Sequence, residues 1–337
     1  MSRTRASQVT LPDLRGRTAL VTGASDGVGV EIARGLAGAG ADLLLPVRNR
    51  DKGARVIDMM RTDSPDARVG LRDLDLARLA SVDALAAAMR AERAPLDIVV
   101  LNAGIVLLGD PERHVSADGF ELHFQTNFLG HFALTTALLP LLQERGARVV
   151  VQLSLAAAIA RPAWNDLQSE RRYSPLLAYG ASKAALGLFA YELARRSAAE
   201  GWGISVQLSH PGVVPDTGIA PAMRARQRSG AARGLAQRLG STPAQAAQPA
   251  LLAAVTDADP VDPAGEDPLV ADSSIRGSGR QGRAASPGFF GPSGWMHFSG
   301  PADALRPYRR LADPAAGARM WVIAEKLLRD RADAVRA

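Results

Sequence analysis

A tyrosine and a lysine four residues apart, Tyr179 and Lys183, are the residues of this sequence best suited to moving a proton. In a helix, side chains at positions i and i+4 lie on one face, so the phenol and the ammonium would be neighbours. A free phenol has a pKa of about 10, but a nearby cation stabilises its anion. The spacing predicts a general acid/base pair, with a solvent-exposed helix face as the alternative.

A glycine-rich turn follows the first apolar segment, Thr18-Ala19-Leu20-Val21-Thr22, and precedes a run with helical periodicity. Gly23 would allow a tight turn, Gly27 the approach of backbone to a phosphate, and Gly29 close helix packing. Helix N-termini bind anions, so the expected ligand is a dinucleotide pyrophosphate. The spacing is Gly-x3-Gly-x-Gly rather than the more familiar Gly-x-Gly-x2-Gly, and an ordinary tight connection is the alternative.

Six motifs in this order resemble the short-chain dehydrogenase/reductase family. They are Thr22-Gly23-x3-Gly27-x-Gly29, Asn102-Ala103-Gly104, Asn127, Ser154, Tyr179-x3-Lys183 and Pro211-Gly212. The resemblance extends over residues 14–215. Leu45-Pro46-Val47-Arg48-Asn49 and the long segment between Ser154 and Tyr179 are most similar to the branch that includes retinol dehydrogenases and light-dependent protochlorophyllide reductases.

The resemblance implies a catalytic tetrad of Asn127, Ser154, Tyr179 and Lys183. Ser154 would donate a hydrogen bond to a substrate oxygen, and Tyr179 would transfer the proton. Lys183 would lower the pKa of the tyrosine and bind the nicotinamide ribose, while Asn127 would hold a water that links the lysine to solvent. No metal is expected, because the five histidines show no ligand-like spacing.

The resemblance also implies a set of cofactor contacts at the carboxyl ends of the strands. The predicted cofactor-binding residues are Gly23, Ser25, Asp26, Gly27, Val28, Gly29, Arg48, Asn49, Asp75, Leu76, Asn102, Ala103, Gly104, Tyr179, Lys183, Pro211, Gly212, Val213 and Thr217.

Two of these assignments, and the role of His210, have alternatives. For the adenine site, Asp73-Leu74 competes with Asp75-Leu76, and either aspartate could simply cap the next helix. Relatives place a threonine about five residues after the proline, whereas this chain has Asp216 there and Thr217 one residue later. His210 either touches the nicotinamide side of the site or is a satisfied structural histidine.

The end of the second strand bears on the choice between NADP and NAD. An acidic residue there binds the ribose diol of NAD, whereas an arginine accommodates the 2′-phosphate of NADP. Val47 occupies the acidic position and Arg48 follows, which favours NADP over NAD. Asp26 argues mildly the other way, because its carboxylate could repel the phosphate. Alternatively, Arg48 pairs with Asp51 on the surface.

Apolar segments alternate with amphipathic ones, the pattern of a parallel sheet covered on both faces by helices. The prediction is therefore an α/β fold, a Rossmann-type doubly wound parallel sheet in a single domain with a loop-rich C-terminal extension. Strands are predicted near 18–22, 41–47, 68–72, 97–101, 147–153 and 204–209, and helices include 120–142 and 175–199.

The predicted organisation has three parts: a flexible N-terminal tail (1–13), a Rossmann NAD(P)-binding catalytic domain (14–256), and a loop-rich extension with a terminal helix (257–337). Residues 216–240 would form a substrate lid. Residues 257–287 are rich in Pro, Gly, Ser and Asp. Phe289-Phe290 and the segment from Trp295 to Phe298 are apolar enough to return to the body, and Asp313-Pro314 opens a last helix.

Composition excludes several classes of function. The net charge is +6, but the excess arginines are interleaved with acids, so no nucleic-acid partner is expected. The arginines between 224 and 238 form either a solvated face or a site for an anionic substrate handle. There are no cysteines, no signal peptide is expected, and no apolar run could span a bilayer. We expect a cytoplasmic protein.

The expected function is that of an NADP-dependent carbonyl reductase or alcohol dehydrogenase. Leu155 to Ala160, with Leu176 and Leu177, could line an apolar pocket, so the expected substrate is a small hydrophobic ketone or secondary alcohol. A carbon–carbon double-bond reductase and a redox-silent NADP-binding sensor are the alternatives. The resemblance also implies a homodimer through the helices that begin near Phe120 and Pro175.

Overall fold

The structure, a computed structural model, describes residues 8–215, 240–256 and 286–336. Its strands are β1 (Thr18–Val21), β2 (Asp42–Val47), β3 (Val69–Asp73), β4 (Ile98–Leu101), β5 (Arg148–Gln152), β6 (Ser205–Ser209), β7 (Gly288–Pro292) and β8 (Ala302–Ala304). Its α-helices are α1 (Gly27–Gly38), α2 (Arg50–Asp63), α3 (Leu79–Ala91), α4 (Gly130–Arg145), α5 (Ala156–Ile159), α6 (Pro175–Glu200), α7 (Pro243–Val255) and α8 (Pro314–Arg336). A π-helical segment, Phe124–Leu129, leads into α4, and a 3₁₀ turn covers Trp295–His297.

The strands form one sheet in the order β3-β2-β1-β4-β5-β6-β7-β8. Strands β1 to β7 are parallel to their neighbours, and β8 is antiparallel to β7. The chain builds outward from β1 to β3 and then returns to place β4 on the other side of β1. This topological switch point is where doubly wound sheets bind ligands, at the carboxyl ends of the strands. The predicted Rossmann-type α/β fold is confirmed.

All six predicted strands are present within one residue at each end. Five of them are short apolar runs buried in the sheet, whereas β3 is a partly exposed strand at the sheet edge. Two further strands, β7 and β8, were missed. Glycine and proline disfavour strands, and β7 reads Gly288-Phe289-Phe290-Gly291-Pro292. Pairing with β6 and burial of both phenylalanines outweigh that local preference.

The turn after β7 differs from expectation. Phe289 and Phe290 are buried as predicted, but the side chains of Trp295 and Met296 are largely exposed, at 71% and 58%. Both belong to a 3₁₀ turn whose second and third residues, Met296 and His297, have positive φ angles. The segment does return to the body, through the Phe298 carbonyl that accepts from the Val213 N–H, but the side chains of Trp295 and Met296 stay at the surface.

The last helix, α8, packs on the helical layer beside α6. Trp321 lies between Phe132 of α4 and Phe189 of α6, with ring centroids 5.0 and 5.8 Å away. Gly317 of α8 faces Leu188 and Glu192 of α6. Helix α8 therefore covers part of the helix pair through which the predicted homodimer would form.

Among the described residues, no helix is both long enough and apolar enough to cross a membrane. Most of the predicted lid (216–240), Thr217 and the arginines between 224 and 238 lie outside the residues that the structure describes.

Candidate active site

Three of the four predicted catalytic side chains meet where β5 ends and α6 begins. Proline at the first turn suits the start of α6, and Tyr179 and Lys183 follow on one face. The Tyr179 hydroxyl forms a hydrogen bond with the Ser154 hydroxyl. Lys183 is buried, and its Nζ donates to the Gln152 carbonyl oxygen at 2.9 Å. Strand β5 therefore positions both partners of the helix, Ser154 for the tyrosine and Gln152 for the lysine.

The electrostatics of this pair differ from the sequence prediction. Burial raises the pKa of Tyr179, and the hydrogen bond from Ser154 only partly opposes that rise. Burial also lowers the pKa of Lys183 to about 8. The sequence predicted a lowered tyrosine pKa. In the structure, the loss of hydration of the Tyr179 phenol dominates its pKa. The Lys183 ammonium, the nearby cation, is directed to the Gln152 carbonyl instead.

Asn127 joins this group from the π-helical segment, a rare conformation that is frequent at functional sites. Its Oδ1 accepts from the Ile105 N–H at 2.8 Å, and its Nδ2 donates to the Ile105 carbonyl and the Ser182 hydroxyl, both at 3.0 Å. A Cβ added to Gly104 would lie 3.0 Å from Asn127 Oδ1 and 3.4 Å from Lys183 Nζ. The structure brings all four tetrad residues to one site.

The glycine turn between β1 and α1 is packed backbone against backbone. Gly23 has φ +70°, and a Cβ on it would lie 2.8 Å from Ala103 Cα. A Cβ on Gly29 would overlap the Gly23 carbonyl oxygen. Gly27 has φ +56°, a left-handed conformation that favours glycine. The turn is thus open to a ligand only at its outer side. There Ser25 is half-buried and Asp26, which precedes α1, is exposed, whereas Val28 in the first turn of α1 is buried.

The residues after β2 are exposed beside this turn. Asn49 caps α2 by accepting from the Lys52 N–H at 2.8 Å. The Lys52 ammonium lies 3.4 Å from the Asp26 carboxylate, so Asp26 has a cationic partner. Within the described part of the chain Arg48 forms no ion pair, and the alternative pairing with Asp51 is absent.

The two possible adenine registers have different surroundings. The Asp73 carboxylate is held by Arg50 through bonds of 2.6 and 2.8 Å, and Leu74 is buried in the core. Asp75 accepts from the Ala77 N–H at 3.0 Å, and the neighbouring Leu76 is also buried. Asp73 is therefore engaged on the surface, and Asp75 forms a turn before α3. The adenine contact of Asp75 and Leu76 stays a prediction.

Thr22 links the ends of β1 and β4, although Thr22 is not among the predicted catalytic or cofactor-binding residues. Its hydroxyl accepts from the N–H groups of Asn102 and Ala103, both at 3.0 Å. The Asn102 amide donates to the Thr22 carbonyl, also at 3.0 Å. The position of Thr22, between a buried strand and the glycine turn, was the available signal.

The far wall is formed by Pro211-Gly212-Val213 and the turn after β7. Gly212 has φ +72°, and a Cβ there would overlap the Phe298 carbonyl oxygen. The same carbonyl accepts from the Val213 N–H at 2.9 Å. Sequence reasoning missed Phe298, because the contact joins segments that are far apart in the chain.

His210 is only partly satisfied, because its Nε2 is buried without a hydrogen-bond partner among the described residues. It is fully buried, its Nδ1 accepts from the Gly212 N–H at 3.2 Å, and burial lowers its pKa to about 4.

One group of side chains in the described part of the chain has metal-ligand proximity. The ligand atoms of Asp110, Glu112 and His114 lie within 4.8 Å of one another. His114 Nε2 lies 2.7 Å from Asp110 Oδ2, and the group lies on an exposed loop.

The comparisons with known proteins agree with this geometry. The family model for short chain dehydrogenase matches residues 17–228. The chain is 40% identical to retinol dehydrogenase 12 of Mus musculus over 59% of this chain and 62% of that protein. It is 38% identical to polyprenol dehydrogenase of Homo sapiens over 60% of this chain and 62% of that protein. The matches thus span less than two thirds of these curated relatives.

Two solved structures are also similar. One is a protein from Mycobacterium paratuberculosis, with a TM-score of 0.71, 30% identity and coverage of 95% of this chain and 97% of that one. The other is the RhlG/NADP active-site complex of Pseudomonas aeruginosa, with a TM-score of 0.57, 30% identity and coverage of 72% and 91%. The family model, the relatives and the fold together show that this chain belongs to the short-chain dehydrogenase family, and the relatives it is similar to include retinol dehydrogenases.

Proposed function

We propose that this protein is an NADP-dependent carbonyl reductase or alcohol dehydrogenase that acts on a hydrophobic ketone or secondary alcohol. The observation that carries the proposal is the hydrogen bond between the Tyr179 and Ser154 hydroxyls, beside a buried Lys183 at the carboxyl edge of the sheet. Two adjacent hydroxyls can both donate hydrogen bonds to a carbonyl oxygen bound between them.

Each side chain has a defined part in this proposal. Ser154 donates a hydrogen bond that holds the substrate oxygen. In reduction, Tyr179 gives its proton to the developing alkoxide, and in oxidation it takes the alcohol proton. Lys183 stabilises the tyrosinate that forms, because its ammonium is desolvated and lies one helical turn away. When bound, the nicotinamide supplies or accepts the hydride at C4.

The residues present fit such a cofactor. Gly23 and Gly29 leave no room for a side chain inside the turn, and backbone N–H groups at the start of α1 are available to an anion. Gly104 keeps the space beside Lys183 Nζ free of a Cβ. Gly23, Gly27 and Gly29 would hold the pyrophosphate, and Lys183 would hold the nicotinamide ribose.

Three observations support NADP over NAD. Val47 leaves no carboxylate at the end of β2, and Arg48 is exposed without an ion pair among the described residues. Lys52 lies 3.4 Å from the Asp26 carboxylate and offsets its repulsion of a phosphate. The similar RhlG structure is a complex with NADP.

A hydrophobic substrate is supported by exposed apolar side chains near the site. Leu176 and Leu177 directly precede the catalytic turn of α6, and Ile159 ends the short helix after Ser154. All three are exposed. The curated relatives named retinol dehydrogenase and polyprenol dehydrogenase carry the names of lipophilic alcohols.

The test is oxidation of NADPH and NADH by the purified protein with a panel of hydrophobic ketones, enones and quinones, with secondary alcohols in reverse. Tyr179→Phe should reduce turnover by a factor of about 10² or more while NADPH still binds. Tyr191→Phe is the matched control, because this buried tyrosine of α6 has a hydroxyl without a partner in the described structure.

The outcomes separate the alternatives. An allylic alcohol from an enone supports the proposal, whereas a saturated ketone identifies a double-bond reductase. NADPH binding without turnover on any substrate would contradict the proposed enzymatic function and favour the alternative of a redox-silent NADP-binding sensor. Absence of binding by either nucleotide would contradict both.

A further inference from the structure

Three side chains on successive turns of one helix, His123, Asn127 and His131, all reach toward the chain around the end of β4. Asn127 belongs to the tetrad and holds Ile105 through both backbone groups. The two histidines flank it at four-residue spacing and are fully buried. Neither has a part in the chemistry proposed above.

His131 is bonded on one side of its ring to the backbone of the tetrad residue Asn127, one turn earlier in the same helical stretch. Its Nδ1 lies 3.1 Å from the Asn127 carbonyl oxygen, which can only accept, so Nδ1 carries the hydrogen. Burial also lowers the pKa of His131 to about 3, which keeps the ring neutral. Its Nε2 is therefore an acceptor, and it faces the Thr22 hydroxyl at 3.1 Å.

The Thr22 hydroxyl completes the connection to the end of β4. Its oxygen accepts two N–H groups, from Asn102 and Ala103, so both lone pairs are used. Its hydrogen has two possible acceptors, His131 Nε2 at 3.1 Å and the Val100 carbonyl at 3.3 Å. The carbonyl already accepts the Thr22 N–H at 3.0 Å, so the imidazole is the acceptor that would otherwise lack a donor.

His123 makes the matching connection further along the segment. Its Nδ1 lies 2.8 Å from a carboxylate oxygen of Glu121, which accepts, and its Nε2 accepts from the Leu107 N–H at 3.0 Å. Its ring packs edge-on against the ring of Tyr179, with centroids 6.2 Å apart. The two histidines thus have the same tautomer, which their partners select.

We propose that His123 and His131 are positioning residues for the reaction. Through Leu107 at one end and through Thr22 at the other, they hold residues 102–107 against the π-helical segment and the start of α4, with Asn127 between them. This segment contains Gly104, which borders Lys183 Nζ, so its placement sets the wall of the site where the lysine acts. The link to catalysis rests on the proposed function, whereas the link to residues 102–107 does not.

Amide hydrogen exchange of the intact protein, measured without nucleotide over fragments that cover residues 100–108, tests the proposal. His131→Leu removes the acceptor of the Thr22 hydroxyl, which itself holds the N–H groups of Asn102 and Ala103, so exchange at these two amides should accelerate by about tenfold. His123→Phe removes the acceptor of the Leu107 N–H, so exchange at Leu107 should accelerate by a similar factor. His131→Gln should restore much of the protection, since its amide can accept from Thr22. The Kd for NADPH should rise in parallel, by about tenfold for the apolar variants.

Thr135→Val is the matched control, one turn beyond His131 on α4. Its hydroxyl is buried and has no partner in the described part of the chain, so exchange at 102–107 should not change. If His131→Leu does not fold, His123→Phe tests the Leu107 end of the segment independently.

Unchanged exchange at 102–107, or an equal acceleration across the whole sheet, would overturn the proposal. Absence of turnover would contradict the proposed function instead, because the exchange measurement needs neither cofactor nor substrate.

Discussion

Two regions of this molecule are held together by different kinds of contact. In the N-terminal region, residues 14–152, hydrogen bonds join the strand ends around the glycine turn. Thr22 accepts from Asn102, and Asn127 accepts from the Ile105 N–H. Close approach of Gly23 and Gly29 leaves no space there for a side chain. In the described part of the C-terminal region, within residues 205–336, aromatic rings pack around Trp321 and Phe289.

The difference shows how each region achieves its geometry. Hydrogen bonds and close backbone contacts at glycines have strict distances, so they fix the glycine turn and the segment around Gly104 within narrow limits. Apolar packing fills volume and tolerates exchange of shape. The N-terminal region should therefore respond to small changes with loss of binding, and the C-terminal region should respond to large ones with loss of stability.

The largest loss of stability is expected for Trp321→Ala in the C-terminal region. The indole is buried between Phe132 and Phe189, and Arg196 lies 4.2 Å over its ring. Removing it should lower the free energy of unfolding by about 3–5 kcal/mol in urea titrations, with the Kd for NADPH little changed. Val322→Ala, at an exposed neighbouring position, should have almost no effect. A loss of affinity as large as the loss of stability would break the distinction between the regions.

Gly29→Ala probes the N-terminal region. The added Cβ would overlap the Gly23 carbonyl oxygen and lie 2.6 Å from Asn102 Nδ2, so the turn must open. We expect a loss of about 2–3 kcal/mol in unfolding free energy and NADPH binding too weak to measure by calorimetry. Gly38→Ala in the same helix meets open space and should stabilise by about 0.5–1 kcal/mol. Retained binding in Gly29→Ala would show that the turn is not rigid.

The pH dependence of stability should report the burial of Lys183. Its folded pKa, about 8, lies below its unfolded value, so the unfolded chain binds more protons between pH 8 and pH 10. The free energy of unfolding should therefore rise by about 1–3 kcal/mol over this window relative to Lys183→Met. Equal pH profiles for the two proteins would mean that the ammonium is hydrated.

The smallest effect is expected at the surface of the N-terminal region. Arg48→Ala should weaken NADPH binding by about tenfold and leave NADH binding unchanged, since only the 2′-phosphate needs the guanidinium. Arg50→Ala is the matched control, because Arg50 is held by Asp73 through two hydrogen bonds. Equal losses for the two nucleotides would indicate that Arg48 does not discriminate between them.

The sequence by itself determined the six strands from β1 to β6, the glycine turn and the four tetrad residues. Each of these depends on residues close together in the chain: apolar runs, a left-handed glycine such as Gly27, and the four-residue spacing of Tyr179 and Lys183. Fold class and family followed from the order of these motifs, because a parallel α/β sheet places the strand ends at one edge.

Only the tertiary structure decided the features that join distant segments. Pairing with β6 makes Gly288–Pro292 a strand despite its glycines and proline. Burial reverses the expected direction of the Tyr179 pKa, because desolvation depends on everything packed around the ring. The bonds of His123 to Leu107 and of His131 to Thr22 exist only once the helix lies against the end of β4. Such contacts depend on three-dimensional packing, which no short stretch of sequence encodes.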